Sequence, residues 1–307
     1  MSKTKLLIIG FSSFARRRLI PSLKRNKLLD YCICSKSNKI NTKEKILYNN
    51  YLVALKEFKP NLVYISTINS LHYFYAKKIL EKGFNVIVDK PISLNLKTSK
   101  KLLSLAKRKN LFLAEATLYN YHRVFKTILR ECGGINNIEL IKSDLNHPLI
   151  LSPKKIKEIK GDCEFDMAIY ASSIIRLFMK NDFKSLTVNR NYFKKLKIVK
   201  NFYIKVVSKS CTYFGNFAFD REYSQQIIFY TKNKIVFSPQ RIFALPYSDL
   251  EIIVKTKNKY KKIKIKKDDC INNFFKQIIK SLKKKRYNFF YETILLDGKN
   301  RNTINKN

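Results

Sequence analysis

Three observations predict an α/β chain in two parts: a doubly wound parallel sheet, then an α+β region with a large, mostly antiparallel sheet. Short apolar runs alternate with helix-period segments over the first 118 residues. Strand-like runs then succeed one another with few helices between them. At 307 residues, with 45% hydrophobic and 13% aromatic content, the chain is long enough for two cores and apolar enough to offset the entropy of ordering them. The domains expected are residues 1–118 and 119–307.

The first strand is Lys5 to Ile9 (KLLII), a continuous apolar run as a strand buried on both faces requires. GFSSFARRRLIPSL (10–23) follows. Gly10 permits a tight turn, Ser12 and Ser13 are candidate caps, and Phe14, Ala15, Arg18 and Leu19 continue at helical spacing. A helix N-terminus therefore faces the strand end, where backbone N–H groups can hold a pyrophosphate. Against the dinucleotide pattern GxGxxG, only the first glycine remains, with Ser12 and Ala15 at the other two positions. Serine and alanine are the smallest replacements, so Gly10, Phe11, Ser12, Ser13, Phe14 and Ala15 form a candidate phosphate loop. A plain strand-to-helix turn fits the same residues.

The second strand, Tyr31 to Cys34, runs into Ser35 and Lys36. A carboxylate at this point would accept from the ribose hydroxyls and repel a 2′-phosphate. A hydroxyl and a cation stand here instead, which favours NADP and leaves NAD possible; an ordinary solvated lysine is the competing reading of Lys36. A third strand, LVYIST (62–67), ends in INSLH (68–72), a helix runs through Leu80 to Gly83, and FNVIV (84–88) makes a fourth strand. The loops IIG, CSKS, STINSLH and VDKP all follow strand ends, where doubly wound sheets bind ligands, so four loops converge on one crevice. Lys90 lies just past a strand too apolar for a surface edge, with Pro91 fixing the chain after it. Position sets it apart from the other basic residues.

Beyond Leu118 come one helix-like segment and the runs IELIKS, FYIKVVS, CTYFGNFAF, QQIIFYT, KIVFS, LEIIVKT and KKIKIKK. INNFFKQIIKSLKKKR (271–286) places Phe274, Phe275, Ile278, Ile279 and Leu282 at helical spacing and is expected to pack on that sheet. The final GKNRNTINKN is polar and expected to fray.

Sixty-three basic against 22 acidic residues give a formal charge of +41. The basic residues are spread along the chain together with abundant Asn, Ile, Tyr and Phe, a joint bias that A/T-rich codons produce. No RRM-like or helix-turn-helix signature accompanies the charge, so no specific nucleic-acid site is expected. The six cysteines form no CxxC pair and are expected to be reduced, and the three histidines join no cluster with ligand spacing, so no metal is expected. No apolar run approaches the roughly 20 residues a membrane span needs, and the expected location is cytoplasmic.

The order and spacing of four segments resemble the glucose-fructose oxidoreductase / inositol dehydrogenase (Gfo/Idh/MocA) family. They are KPNLVYISTINSLH (59–72), Asp89-Lys90-Pro91 within VIVDKPIS, AEATLYNYH (114–122) and GDCEFDMAIYASSIIRLF (161–178). The resemblance implies a Rossmann domain followed by an α+β substrate-binding and oligomerisation domain. It also implies an NAD(P)-dependent oxidoreductase acting on a CH–OH group of a sugar or nucleotide sugar. Carried over, Lys90 is the catalytic lysine, Tyr170 the acid or base, and Asp166 the residue that orients the site. Thr67, Asn69, His72 and Asp89 line the cofactor with Lys90, and Tyr119 and His122 border the substrate cleft. A homodimer or homotetramer is implied as well. The chain departs from the family at the two lost glycines, at Ile68 for proline, at Asn120 for arginine, and at Lys160, Asp162 and Ala168 for glycine. The alternative is a catalytically silent relative that binds a dinucleotide or sugar as a sensor or assembly partner.

Overall fold

The computed structural model describes residues 3–36, 47–148, 163–193 and 197–307. It separates into two units, Met1–Thr117 with Ile271–Leu295, and Leu118–Cys270 with Leu296–Asn307.

The first unit is a parallel sheet of β1 (Thr4–Ile9), β2 (Leu29–Cys34), β3 (Leu47–Tyr48), β4 (Leu62–Ile65), β5 (Asn85–Val88) and β6 (Leu113–Glu115). Their order is β3-β2-β1-β4-β5-β6, so the direction of progression reverses beside β1. A π-turn over Ala15–Leu19 leads into α1 (Ile20–Arg25), and α2 (Tyr51–Phe58), α3 (Asn69–Glu81) and α4 (Leu96–Arg108) complete the crossovers. Leu6, Leu7, Ile8, Val63, Val86 and Ile87 are wholly buried, as continuous apolar runs covered on both faces must be. Asn50 and Asn95 cap α2 and α4 by accepting the N–H groups of Leu52 at 2.8 Å and Thr98 at 2.9 Å.

The second unit holds an eight-stranded sheet: β7 (Ile138–Asn146), β8 (Ser185–Phe193), β9 (Ile198–Val207), β10 (Thr212–Ala218), β11 (Ser224–Thr231), β12 (Ile235–Phe237), β13 (Leu250–Lys255) and β14 (Tyr260–Ile265). The order is β14-β13-β12-β11-β7-β10-β9-β8, antiparallel except between β7 and β10. β8 escapes a search for apolar runs because its SLTVNRNYF buries only Leu186 and Val188. The helices α5 (Arg123–Glu131) and α6 (Cys163–Phe178) belong to this unit, and α6 packs on β9 and β10.

Two expectations need correction. The segment 271–286 forms α7 (Cys270–Lys284), but from Ile271 onward it belongs to the first unit. There the ring of Phe275 lies 6.3 Å from Tyr64, and Phe274 lies 6.4 Å from Phe290. The polar C-terminus does not fray: it completes α8 (Asn288–Lys306), with Ile304 and Asn300 buried. A single apolar residue suffices to anchor that last stretch where polar partners cover the rest. Among the described residues no helix is long and apolar enough to cross a membrane, and no group of three His, Cys, Asp or Glu could hold a metal. Lys160 and Asp162 lie outside the described residues.

Candidate active site

Beyond their last residues the central strands of the first unit keep exchanging hydrogen bonds. Gly10 N–H donates to the Cys34 carbonyl and Ser66 N–H to that of Ile9, both at 2.8 Å, while Asp89 N–H donates to Ile65 at 2.9 Å and Ala116 N–H to Val88 at 2.8 Å. This ladder sets the loops that hold Gly10–Ala15, Ser35–Lys36, Thr67–His72 and Asp89–Lys90 side by side along one edge. Gly10 has φ +95°, and a Cβ there would sit 2.3 Å from the Ser66 carbonyl oxygen, so only glycine lets β1 and β4 approach so closely.

The phosphate-loop candidates open the helix that leads into α1. Ser12 caps it, its Oγ accepting Ala15 N–H at 3.0 Å and its carbonyl accepting Arg16 N–H at 3.0 Å. Phe11 lies under the Arg16 guanidinium at 5.8 Å, Phe14 is half-buried, and Ser13 is exposed. At the end of β2, Ser35 N–H donates to the Tyr48 carbonyl at 2.7 Å and Lys36 is exposed.

Lys90 sits in a segment tied down on both sides. The Asp89 carboxylate accepts from Tyr64 Oη at 2.6 Å and from Ser66 Oγ at 2.8 Å, two groups that share a face of the chain because they are two residues apart. Past the cis Lys90–Pro91 peptide, the Pro91 carbonyl lies 2.7 Å from His72 Nδ1, and Ile92 N–H donates to Glu115 Oε1 at 2.6 Å. His72 is fully buried, and its Nε2 reaches the Thr67 carbonyl at 3.1 Å, so one ring bridges two of the loops. Thr67 Oγ1 donates to the Ile68 carbonyl at 3.4 Å, and Asn69 begins α3. Burial raises the Asp89 pKa, opposed by the hydrogen bonds from Tyr64 and Ser66 and by the charges of His72 and Lys90. Tyr64, Ser66 and Glu115 were not picked out from the sequence. The alternation of Tyr64 and Ser66 at a strand end is the available signal for the first two; Glu115 stands in the segment AEATLYNYH, but nothing local points to its target 23 residues away.

In the second unit α6 carries Asp166 and Tyr170, both partly exposed. The Tyr170 ring packs 4.8 Å from Phe243 and 5.2 Å from Tyr119. Tyr119 points its hydroxyl into the unit, donating to Ser173 Oγ at 2.8 Å, and burial holds its pKa well above the ordinary phenol value. His122 is buried too: its Nδ1 accepts Val124 N–H at 3.1 Å and caps α5, which leaves the ring proton on Nε2. Burial lowers its pKa, and the Asp268 charge opposes that only in part. The structure thus gathers the cofactor candidates and Lys90 on one edge of the first unit, and places Asp166, Tyr170, Tyr119 and His122 in the second.

Residues 4–117 match the model of an oxidoreductase family with an NAD-binding Rossmann fold. The trans-1,2-dihydrobenzene-1,2-diol dehydrogenase of Xenopus laevis is 23% identical over 138 residues, 44% of this chain and 42% of that protein. The dTDP-3,4-didehydro-2,6-dideoxy-alpha-D-glucose 3-reductase of Streptomyces violaceoruber is 21% identical over 191 residues, 58% of this chain and 55% of that one. The chain therefore spans about half the length of the curated relatives it matches. Over the whole fold it is similar to a 3-ketoreductase from Actinomadura kijaniata solved with NADP and TDP-benzene, at a TM-score of 0.88 and 15% identity, covering 99% of this chain and 98% of that one. Residues 4–117 thus match the NAD-binding Rossmann fold of the Gfo/Idh/MocA oxidoreductase family, and the chain as a whole shares the fold of that 3-ketoreductase.

Proposed function

We propose that this chain is an NADP-dependent oxidoreductase that interconverts a hydroxyl and a ketone on a sugar or nucleotide sugar. The observation that carries this reading is the pinned segment 89–92, which presents Lys90 on the same sheet edge as the Gly10 loop. The residues fit a dinucleotide: Gly10, at φ +95° and packed against the Ser66 carbonyl, makes the tight turn out of β1, and the capped helix start behind it offers backbone N–H groups. Gly10 to Ala15 would hold the pyrophosphate, Ser35 and the exposed Lys36 the adenosine ribose and its 2′-phosphate, and Thr67, Asn69 and His72 the loop toward Lys90. When bound, the nicotinamide supplies the hydride acceptor or donor.

The protein's share is proton handling and positioning. Oxidation takes a proton from the hydroxyl as the carbon gives up hydride; reduction returns a proton to the carbonyl oxygen. Lys90 Nζ, beside the Asp89 carboxylate, is the proposed electrostatic and proton-handling group. Tyr170 is the proposed acid or base, and Asp166 orients it. The complex of the similar 3-ketoreductase with NADP and TDP-benzene, and the dTDP-sugar reductase among the curated relatives, support this cofactor and substrate class. Self-association is proposed through the face of the second sheet that α6 leaves open, where Lys205 lies over Phe214 and Lys142 over Tyr230.

Lys90→Met tests the assignment. Turnover of NADPH with a panel of nucleotide-sugar ketones should fall about 10²- to 10⁴-fold, the usual range for a lost acid–base group. NADP affinity by calorimetry should change by less than about threefold, or ~0.65 kcal/mol. A Lys90→Met variant of parental activity refutes the role, and bound NADP without turnover in the parent protein favours a silent relative.

A further inference from the structure

Ser12, at the second glycine position of the dinucleotide pattern, does more than fill the place of a glycine. Its Oγ lies 2.7 Å from Ser66 Oγ while accepting Ala15 N–H at 3.0 Å; Ser66 Oγ is 2.8 Å from Asp89, whose other oxygen accepts from Tyr64 at 2.6 Å. Donor accounting fixes the direction. An ionised carboxylate only accepts, so the Ser66 hydrogen goes to Asp89. The Ser66 oxygen then takes the Ser12 hydrogen, and the Ser12 oxygen takes the amide hydrogen of Ala15. Ser66 is 1% exposed, so water does not stand in for a missing member. A glycine at position 12 could make neither of the two bonds of the Ser12 hydroxyl.

We propose that Ser12 and Ser66 are positioning residues, a hydroxyl relay that ties the phosphate loop to Asp89 and holds its carboxylate in place beside Lys90. This rests on the role given to Lys90 above. The groups facing Asp89 are Tyr64 and Ser66 from the β4 side, His72 from α3, and Lys90 next in the chain. Burial favours the protonated acid, and the relay works against it by keeping the Ser66 hydrogen directed at the carboxylate. Without the relay Asp89 takes up a proton at higher pH and Lys90 loses its negative neighbour.

Ser12→Gly, which restores the glycine of the dinucleotide pattern, is the test. Its kcat should fall roughly 5- to 20-fold, the equivalent of about one net hydrogen bond, while KM for NADPH moves less than about threefold. The acid limb of the kcat profile should shift to higher pH. Ser12→Thr keeps a hydroxyl and should restore both. Ser66→Ala should reproduce the defect, and the double variant Ser12→Gly/Ser66→Ala should be no worse than Ser66→Ala alone, since both remove one relay. The ¹³C titration of the Asp89 carboxyl in cofactor-free protein gives a readout that needs no turnover. An upward move of its midpoint in Ser12→Gly supports the relay even if the parent proves inactive, in which case only the enzymatic reading fails. An unchanged midpoint in Ser12→Gly, or additive losses in the double variant, overturns the relay.

Discussion

At φ +95° and with the Ser66 carbonyl oxygen 2.3 Å from where a Cβ would stand, Gly10 is the one phosphate-loop position where the backbone itself demands glycine. Ala15 is buried at the start of the helix and Ser12 turns its side chain toward Ser66, so both accept a Cβ. The buried thiols show how strongly environment acts on a residue: burial pushes Cys32 up to about 12 and Cys34 up to about 11, so both stay protonated and unreactive near neutral pH. His122 gives a pH prediction. Its folded pKa lies below its ordinary value of 6.5, because burial penalises the imidazolium. Below 6.5 the unfolded chain binds a proton that the folded one does not, so stability is fully present at neutral pH and is lost as pH falls toward the folded value. The urea midpoint should decline from pH 7 toward 5 with a slope contribution of at most about 1.4 kcal/mol per pH unit. His122→Asn keeps an acceptor for Val124 N–H and should flatten that part of the slope; an unchanged slope would show that His122 is not the group titrating.

Among the elements, α7 is the most instructive. Its amphipathic spacing was plain in the sequence, but periodicity says that a helix has an apolar face and not which sheet receives it. The receiving surface is aromatic: Phe275 meets Tyr64, and the start of α8 follows onto the same unit, where Phe290 meets Phe112 at 4.8 Å and Tyr291 donates to the Leu111 carbonyl. Tyr64 thus holds α7 by its ring and Asp89 by its hydroxyl. Phe275→Ala should cost about 3–5 kcal/mol, the usual loss for a buried phenylalanine. The loss should appear in urea unfolding followed in the first unit, with protection of the Asp89 and Ile92 amides in hydrogen exchange reduced along with it. A cost below 1 kcal/mol would remove α7 from the account of that unit's stability. The eighth strand of the second sheet carries the complementary lesson: β8 is half polar by sequence, and its pairing with β9 along Ser185–Phe193 supplies what its composition lacks.

For the whole molecule, charge comes first. A formal +41 must attract polyanions at low salt, and Lys276, Lys280, Lys284 and Arg286 line one groove along α7. Heparin should retain the protein at 50 mM salt and release it well before 500 mM, because the attraction depends on counterion release. Retention of duplex DNA at physiological salt would instead mean a specific nucleic-acid site. The sequence by itself determined the alternation of strands and helices in the first 118 residues, the buried strands, the convergence of four loops on one sheet edge, and the place of Lys90 there. These follow from local period and chain order, which a sequence states directly. Only the tertiary structure decided that 271–295 returns to the first unit, that the C-terminus is an anchored helix, that Tyr119 and His122 turn inward, and that Ser12, Ser66, Tyr64 and Glu115 brace the Lys90 segment. Except for His122, which caps a helix two residues on, those outcomes depend on partners 23 to 54 residues apart within the site and farther for the helices, and such a side chain's direction is set by those partners rather than by its neighbours in the chain.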